Sequence, residues 1–265
     1  MSVRRAAAGL RGPVALLLAA LGLLLAVLTV LIGEVVWVVN RDYLPPESAP
    51  SVDTEISASG SAAAPTPLRL VVVGDSTGAG VGASRTEFTV GARLAVAVAS
   101  AVQRAVSVQS VAVSGARAGD LGPQVDLALA LAPDVVVVLV GANDVTHLTR
   151  RDSVGRDVGA AVRRLREAGA RVVVGTCPDL GAAPAFPPPL RELAGWRGRA
   201  VGATEGRAVR LAGGVAVDLA ARTGPAFRAQ PDLMHSTDRF HPSDAGYALW
   251  AQALAPATIE AAQTR

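Results

Sequence analysis

The apolar and polar positions divide this chain into three parts. Residues 13–33 contain no charged side chain, and the apolar pattern resumes after Glu34 and continues to residue 39. Residues 40–66 are rich in Pro, Ser and Ala, carry several acids and have no periodicity, which is typical of a flexible linker. From residue 67 onward, short apolar runs alternate with longer segments of helical spacing. The pattern therefore predicts one helix over 13–39, a linker, and one domain over 67–265.

Strands and helices alternate along the predicted domain. The predicted strands are 68–73, 106–113, 134–140, 171–176 and 214–218. The predicted helices are 87–104, 120–131, 152–168, 190–212 and 243–262. Alternation of this kind predicts an α/β fold, in which a parallel sheet carries helices on both faces.

The first apolar segment has the length of a membrane-spanning helix. At about 1.5 Å per residue, its roughly 21 uncharged residues reach about 30 Å, the thickness of a hydrocarbon core. A cleavable signal peptide has only about 7–15 apolar residues, so we expect an uncleaved signal anchor. Three arginines within residues 1–12 put that end in the cytoplasm and the domain outside, in the cell membrane by a single pass. The alternative is a secreted protein, cut between Ser57 and Ala64.

Composition excludes several classes of function. The 25 basic residues are all arginine, they are scattered along the chain, and the net charge is only +3. Aromatic residues make up only 3 % of the chain, so a nucleic-acid surface of interleaved basic and aromatic side chains is not expected. Cys177 is the single cysteine, which rules out an internal disulfide.

The candidate nucleophile follows the first predicted strand. Leu70–Val73 reads as a strand buried on both faces, Gly74 permits a sharp turn, and Ser76 comes just past the strand end. Open α/β sheets bind their ligands at that end of the strands. A serine in this position also commonly caps a helix, so the assignment depends on its partners.

Nucleotide binding remains an alternative for the same loop. Residues 78–83 fit a loose G-x-G-x-x-A pattern, but in a dinucleotide site the first glycine forms the turn itself. Here the turn falls at Gly74, four residues earlier. A Walker-type phosphate loop is excluded because the chain contains no lysine.

A serine nucleophile needs a base and a group that orients the base. The chain has three histidines, of which His241 follows Asp238 by three residues and His235 precedes it by three. An acid at that distance can reach the ring across one turn and fix its tautomer. His147 is interpreted as a loop residue near the pocket. A metal site on His235, Asp238 and His241 is disfavoured because the spacing suggests no fourth ligand.

Two further loops offer donors for an oxyanion. Gly115 follows the second predicted strand and exposes a backbone N–H, while Asn143 follows the third strand and has a side-chain amide. Each also has a structural interpretation, as a turn residue or a cap. The order is informative, because Ser, Gly and Asn follow three successive strands and the Asp–His pair comes after the fifth.

These residues resemble the SGNH hydrolases, also called GDSL-type esterases and lipases. The resemblance rests on four blocks over roughly residues 68–258, and it is closest to the short actinobacterial subgroup. The blocks are Gly74-Asp75-Ser76, Gly115, Gly141-Ala142-Asn143-Asp144 and Asp238-x-x-His241-Pro242. It implies a three-layer α/β/α sandwich around a five-stranded parallel sheet. The amino-terminal transmembrane helix predicted above departs from a plain secreted member of that family.

The resemblance also implies the roles of the residues. Ser76 is the nucleophile, His241 the base and Asp238 its orienting group, while the N–H groups of Ser76 and Gly115 and the Asn143 side chain form the oxyanion hole. The expected activity is hydrolysis of a small-molecule, lipid or acylated-glycan ester, with no cofactor, no metal and a monomeric chain. The alternative is a non-catalytic module that binds the cell envelope.

Overall fold

The computed structural model describes residues 3–57 and 66–264, and their side chains except those of residues 3–13 and 39. The predicted cleavage region lies outside the described residues apart from Ser57.

A six-stranded mixed sheet forms the centre of the domain. Its strand order is β1-β3-β2-β4-β5-β6, and every neighbouring pair is parallel except β1 with β3. The strands are β1 (Asp53–Ile56), β2 (Leu68–Gly74), β3 (Val106–Ser110), β4 (Val135–Leu139), β5 (Arg171–Gly175) and β6 (Val215–Val217). The five predicted strands are therefore the five parallel ones, and the predicted α/β/α sandwich is confirmed.

Helices cover both faces of the sheet. The longer ones are α3 (Val90–Val102), α4 (Leu121–Ala130), α6 (Arg151–Glu167), α7 (Leu190–Leu211), α8 (Leu219–Ala229) and α10 (Asp244–Gln263), while α1 (Val3–Val39) precedes the sheet and does not cover it. Three short helices lie at strand or helix ends: α2 (Ser76–Ala79), α5 (Ala142–Thr146) and α9 (Pro231–Met234). Single 3₁₀ turns cover Pro46–Ser48, Thr86–Phe88, Ala118–Asp120 and Leu180–Ala182.

Alternation along the strands divides the core into two layers. On β2, Leu70 and Val72 pack with α3, α8 and α10, whereas Val71 and Val73 pack with α4, α6 and α7. The same division holds along β4, because successive side chains of a strand point to opposite faces. Valine, alanine and leucine make up most of both layers.

The strand order creates a crevice above β2. The chain runs from β2 to β3 on one side and then crosses to β4 on the other. The loops that leave β2 and β4 therefore diverge, and ligands of open α/β sheets bind at such a point. Ser76 and Asn143 follow those two strands.

The flexible linker predicted over 40–66 is wrong for residues 53–56. These residues form β1, which pairs antiparallel with β3, and Val52 beside them is buried. The physical reason is that β3 is the edge of the parallel sheet and has unpaired backbone groups, which an extended segment of alternating exposure can satisfy.

The first helix is long enough to cross a membrane. Its span Val14–Val38 has a mean hydropathy of 3.0 over its most apolar 18 residues, none of which is buried inside the protein. A signal sequence near an amino terminus passes the same test of length and composition.

Candidate active site

The turn after β2 presents Ser76. Gly74 has φ +140°, and a Cβ at this position would overlap the carbonyl oxygen of Leu139, so only glycine fits. Asp75 caps α2, since its Oδ1 accepts hydrogen bonds from the N–H and the hydroxyl of Thr77. Ser76 is the first residue of α2, and it is largely buried in the crevice above the sheet.

His241 joins Ser76 to Asp238. The Oγ of Ser76 lies 2.9 Å from Nε2 of His241, and Nδ1 of His241 lies 2.6 Å from Oδ2 of Asp238. Because Asp238 Oδ2 accepts the proton on Nδ1, the neutral ring leaves Nε2 free to accept the Ser76 hydroxyl proton. The structure thus brings together the serine, histidine and acid that the sequence pattern singled out.

Asp238 is held as a carboxylate. Burial alone would raise its pKa, but the hydrogen bond and charge of His241, with the backbone N–H groups of Phe240 and His241, hold the pKa well below its usual range. Its Oδ1 also accepts the hydroxyl of Ser236 at 2.8 Å. An ionised Asp238 keeps the His241 proton on Nδ1.

His235 does not take part in this chain of contacts. Its Nδ1 lies 3.0 Å from the carbonyl oxygen of Pro231, and its ring packs edge-on against Phe227 at 5.0 Å between centroids. Burial lowers the pKa of His235. Among the described residues, no hydrogen bond joins His235 to Ser76 or to Asp238.

The loops after β3 and β4 meet beside Ser76. Asn143 is the second residue of α5, and its Nδ2 donates a hydrogen bond of 3.0 Å to the carbonyl oxygen of Ala116. Gly115 immediately precedes Ala116, and no heavy atom lies within 4 Å of where its Cβ would be. The Asn143 amide has a second N–H that this contact does not use.

Asp144 joins the same two loops through a buried hydrogen bond. It is fully buried, and its Oδ2 accepts the backbone N–H of Ala118 at 2.9 Å. Burial raises the pKa of Asp144. His147 is exposed at the end of α5, where its Nδ1 lies 2.8 Å from the carbonyl oxygen of Asn143.

A small apolar cavity opens beside Ser76. Its volume is about 40 Å³, a few times the space that one water molecule needs. His235 and His241 form part of the wall. The other lining residues include Asn143, Pro178, Leu180, Ala183, Phe227, Phe240 and Trp250.

Sequence reasoning missed two polar residues under the active-site turns. Gln124 of α4 donates to the carbonyl of Gly74 at 3.0 Å and accepts its N–H at 2.8 Å, which fixes the turn before Ser76. Glu205 of α7 lies beneath Gly141, and burial raises the pKa of its carboxyl to about 8. Each interrupts the buried face of its helix at helical spacing, and that signal was available in the sequence.

A third missed contact comes from far away in the chain. Arg41 donates a hydrogen bond of 3.0 Å to the carbonyl oxygen of Asp238, and the N–H of Leu44 lies 3.3 Å from Asp238 Oδ2. The ring of Tyr43 packs edge-on against Phe240 at 5.3 Å between centroids. No pattern in the sequence connects these residues to the active-site loop.

Comparison with known proteins agrees with this geometry. A model of the GDSL-like lipase/acylhydrolase family matches residues 72–249. The chain is 41 % identical over 192 residues to the GDSL-like esterase Rv1075c of Mycobacterium tuberculosis. That alignment covers 72 % of this chain and spans 61 % of the length of the relative.

Solved structures share the fold at low identity. One is a catalytic mutant of Axe2, an acetylxylan esterase from Geobacillus stearothermophilus, with a TM-score of 0.57 and 16 % identity over 78 % of this chain and 97 % of the other. Another is a lipase/acylhydrolase from Enterococcus faecalis, with a TM-score of 0.55 and 19 % identity over 71 % and 94 % of the two chains.

Proposed function

Because the chain belongs to the GDSL-like lipase/acylhydrolase family, we propose that it hydrolyses carboxylic esters through a covalent intermediate on Ser76. His241 acts as the general base and Asp238 orients its ring. The observation that carries the proposal is the pair of contacts at 2.9 and 2.6 Å that link Ser76, His241 and Asp238. A serine hydroxyl is a weak nucleophile until such a base is in reach.

The reaction proceeds in two steps. Ser76 Oγ attacks the ester carbonyl carbon and its proton passes to His241 Nε2, which then protonates the departing alcohol and leaves an acyl group on Ser76. A water molecule next attacks this acyl group while His241 takes one of its protons, and the same proton returns to Ser76 Oγ as the carboxylic acid leaves. Asp238 stabilises the His241 cation in both steps.

The developing oxyanion needs hydrogen-bond donors. The N–H of Ser76 lies at the start of α2, and no hydrogen bond among the described residues engages it or the N–H of Gly115. Together with the second N–H of the Asn143 amide, these groups form the proposed oxyanion hole. The contact between Asn143 and Ala116 holds that amide beside the Gly115 loop.

The cavity beside Ser76 favours a short acyl group. A volume of about 40 Å³ accommodates few non-hydrogen atoms, so the acyl portion of the substrate is small and the alcohol portion remains outside. The apolar lining fits the carbon atoms of such a group.

The chain is proposed to be a single-pass membrane protein whose domain lies outside the cytoplasm. The span Val14–Val38 supports this, and the arginines before it set the orientation. Cleavage of the chain between residues 57 and 64 would remove not only the helix but also β1 and the contacts of Arg41 and Leu44 with Asp238. These contacts favour a helix that is retained.

The test is hydrolysis of p-nitrophenyl esters, from acetyl to palmitoyl, by the full chain in detergent. We expect turnover that is fastest for the short acyl groups and is lost in Ser76→Ala. The matched control is Ser153→Ala, which removes a half-buried serine hydroxyl on α6 that contacts only Arg156 by hydrogen bond among the described residues and is expected to leave turnover unchanged.

A fluorophosphonate probe distinguishes the esterase from a binding module. An activated Ser76 is expected to react, and digestion of the labelled protein should yield a modified peptide that contains residue 76. A folded chain that neither reacts with the probe nor hydrolyses any ester of the series would contradict the proposal and favour the non-catalytic module.

Replacement of Asn143 tests the oxyanion hole. We expect Asn143→Ala to lower kcat by about 10²–10³-fold with little change in KM, because the donor acts on charge that develops in the transition state. Thermal unfolding of the variant controls for the lost contact with Ala116. A kcat within a few-fold of the original chain would remove Asn143 from this role.

A further inference from the structure

The end of α1 and the beginning of α7 are joined. Oε2 of Glu34 accepts a hydrogen bond of 2.9 Å from the N–H of Leu190, the first residue of α7. Val38, one turn further along α1, packs against the same apolar cluster as the Leu190 side chain. The membrane helix therefore ends against the domain and is not separated from it by a free linker.

This contact sets the depth of α7 relative to a bilayer. Residues 14–33, about 20 residues at roughly 1.5 Å each, span the 30 Å of a hydrocarbon core. Glu34 is the first charged residue after that span, so its carboxylate lies at the boundary with the headgroups. The N–H of Leu190 is at the same level because it is hydrogen-bonded to Glu34.

The next turns of α7 expose apolar side chains close to this contact. Leu193 is 47 % exposed and Trp196 is 65 % exposed, and their spacing of three residues places them on one side of the helix. They lie about 4.5 and 9 Å from Leu190 along the helix axis. Tryptophan is the side chain that favours the interface between hydrocarbon and water.

The loop that carries Asp238 contacts the segment that directly follows α1. Leu44 comes six positions after Val38, and between residues 39 and 44 Arg41 and Leu44 contact Asp238 while Tyr43 packs on Phe240. The loop that carries Asp238 and His241 is thus connected to the bilayer boundary by a short, docked segment.

From these contacts we propose that Leu193 and Trp196 of α7, together with the end of α1 from Glu34 to Val38, form a surface that rests on the lipid leaflet around α1. The inference rests on the proposed function, and it specifies the substrate class: esters embedded in that leaflet, whose short acyl group enters the cavity beside Ser76. We call these residues the leaflet surface.

The experiment uses the full chain in phosphatidylcholine nanodiscs. One set of discs contains lipid brominated near the headgroup, which quenches tryptophan fluorescence on contact. The emission of Trp196 is obtained by subtracting the spectrum of Trp196→Phe from that of the original chain. We expect the bromines to quench this emission strongly. Trp250 is buried in the core and provides an internal reference that the bromines do not reach.

Kinetics in the same discs test the substrate class. The double variant Leu193→Ser/Trp196→Ser is expected to raise KM about tenfold for a short-acyl fluorogenic ester embedded in the discs, because two apolar side chains no longer anchor the surface. Its turnover of soluble p-nitrophenyl acetate should stay within twofold. Leu211→Ser is the matched control, since Leu211 is 89 % exposed at the far end of the same helix.

The outcomes separate this inference from the proposed function. If the folded, unmodified chain neither reacts with the fluorophosphonate nor hydrolyses any ester, soluble or embedded, the esterase proposal fails. If it hydrolyses the soluble ester but Trp196 is not quenched, or the double variant and Leu211→Ser behave alike on the embedded ester, the esterase stands and the leaflet surface is refuted.

Discussion

His235 and His241 are a matched pair in the sequence and a contrasting pair in the structure. Each lies three residues from Asp238, and each side chain is almost fully buried in the wall of the same cavity. Only His241 contacts both Asp238 and Ser76, whereas His235 turns its Nδ1 toward Pro231.

The direction of the chain explains the difference. His235 follows α9 in an extended conformation and its Nδ1 faces the carbonyl one turn earlier. Beyond Asp238 the chain reverses at Arg239, which has φ +62°, and Oδ1 of Asp238 accepts the N–H groups of Phe240 and His241. This turn brings the His241 ring back onto Oδ2. Equal spacing therefore produces unequal geometry, because within this loop only residues after Asp238 donate backbone N–H groups to its carboxylate.

The largest effect should come from His241. We expect His241→Ala to lower kcat on p-nitrophenyl acetate by at least about 10⁴-fold, since it removes the base that accepts the Ser76 proton. Steady-state kinetics of His241→Ala and His235→Gln measure directly how much each histidine contributes to turnover. If loss of His235 is the more damaging change, the assignment of the base is wrong.

Asp238→Asn should have the next largest effect, about 10²–10⁴-fold in kcat, because an amide no longer holds the Nδ1 tautomer of His241. The lowered pKa of Asp238 also stabilises the folded state above the ordinary value of 3.8, and this contribution is lost as pH falls through the lower native pKa. The difference in Tm between the original chain and Asp238→Asn should therefore become smaller as the pH is lowered from about 5 to 2. A constant gap would mean that the carboxylate is not selectively stabilised.

Gly82→Ala is expected to weaken the contact between His241 and Ser76 by displacing His241. A Cβ at Gly82 would overlap the carbonyl oxygen of Pro242 and lie 3.1 Å from Cβ of His241, and φ is +94° there. The strain should displace His241 and lower both Tm and kcat, with kcat reduced by about 10-fold or more if the ring moves by as little as an ångström. Gly119→Ala is the control, because its Cβ would meet only a side-chain oxygen of Asp157 at 3.7 Å.

His235→Gln should have the smallest effect on activity, within about threefold, because the amide can still donate to the Pro231 carbonyl. Burial lowers the pKa of His235, so this residue favours the folded state above the ordinary value of 6.5, and that contribution is lost as pH falls. Denaturant unfolding at pH 7 and pH 5 should show less acid sensitivity in the variant, by at most about 1.4 kcal/mol per pH unit. An unchanged pH dependence would contradict a buried neutral His235.

The local pattern determined much of the fold. Runs such as Val135–Val140 predict strands without reference to the rest of the chain, because a strand buried on both faces must be apolar at every position. Turns after strands are equally local, so the sequence predicts that Ser76, Gly115 and Asn143 lie at one edge of the sheet. That parallel strands share this edge follows from the alternation of strands and helices.

Tertiary structure decided everything that depends on which distant segments meet. β1 forms because the edge of β3 has free backbone groups, and residues 53–56 alone have no strand pattern strong enough to indicate it. Gln124 and Glu205 have polar partners that belong to turns far away in the chain, and Arg41 reaches Asp238 across 197 residues. Short-range patterns indicate the five parallel strands, most of the long helices and the chemical groups at the strand ends, because these depend on neighbouring residues. Only the packed structure chose His241 over His235 and placed the segment after α1 against Asp238, because those contacts depend on turns and docking that spacing does not encode.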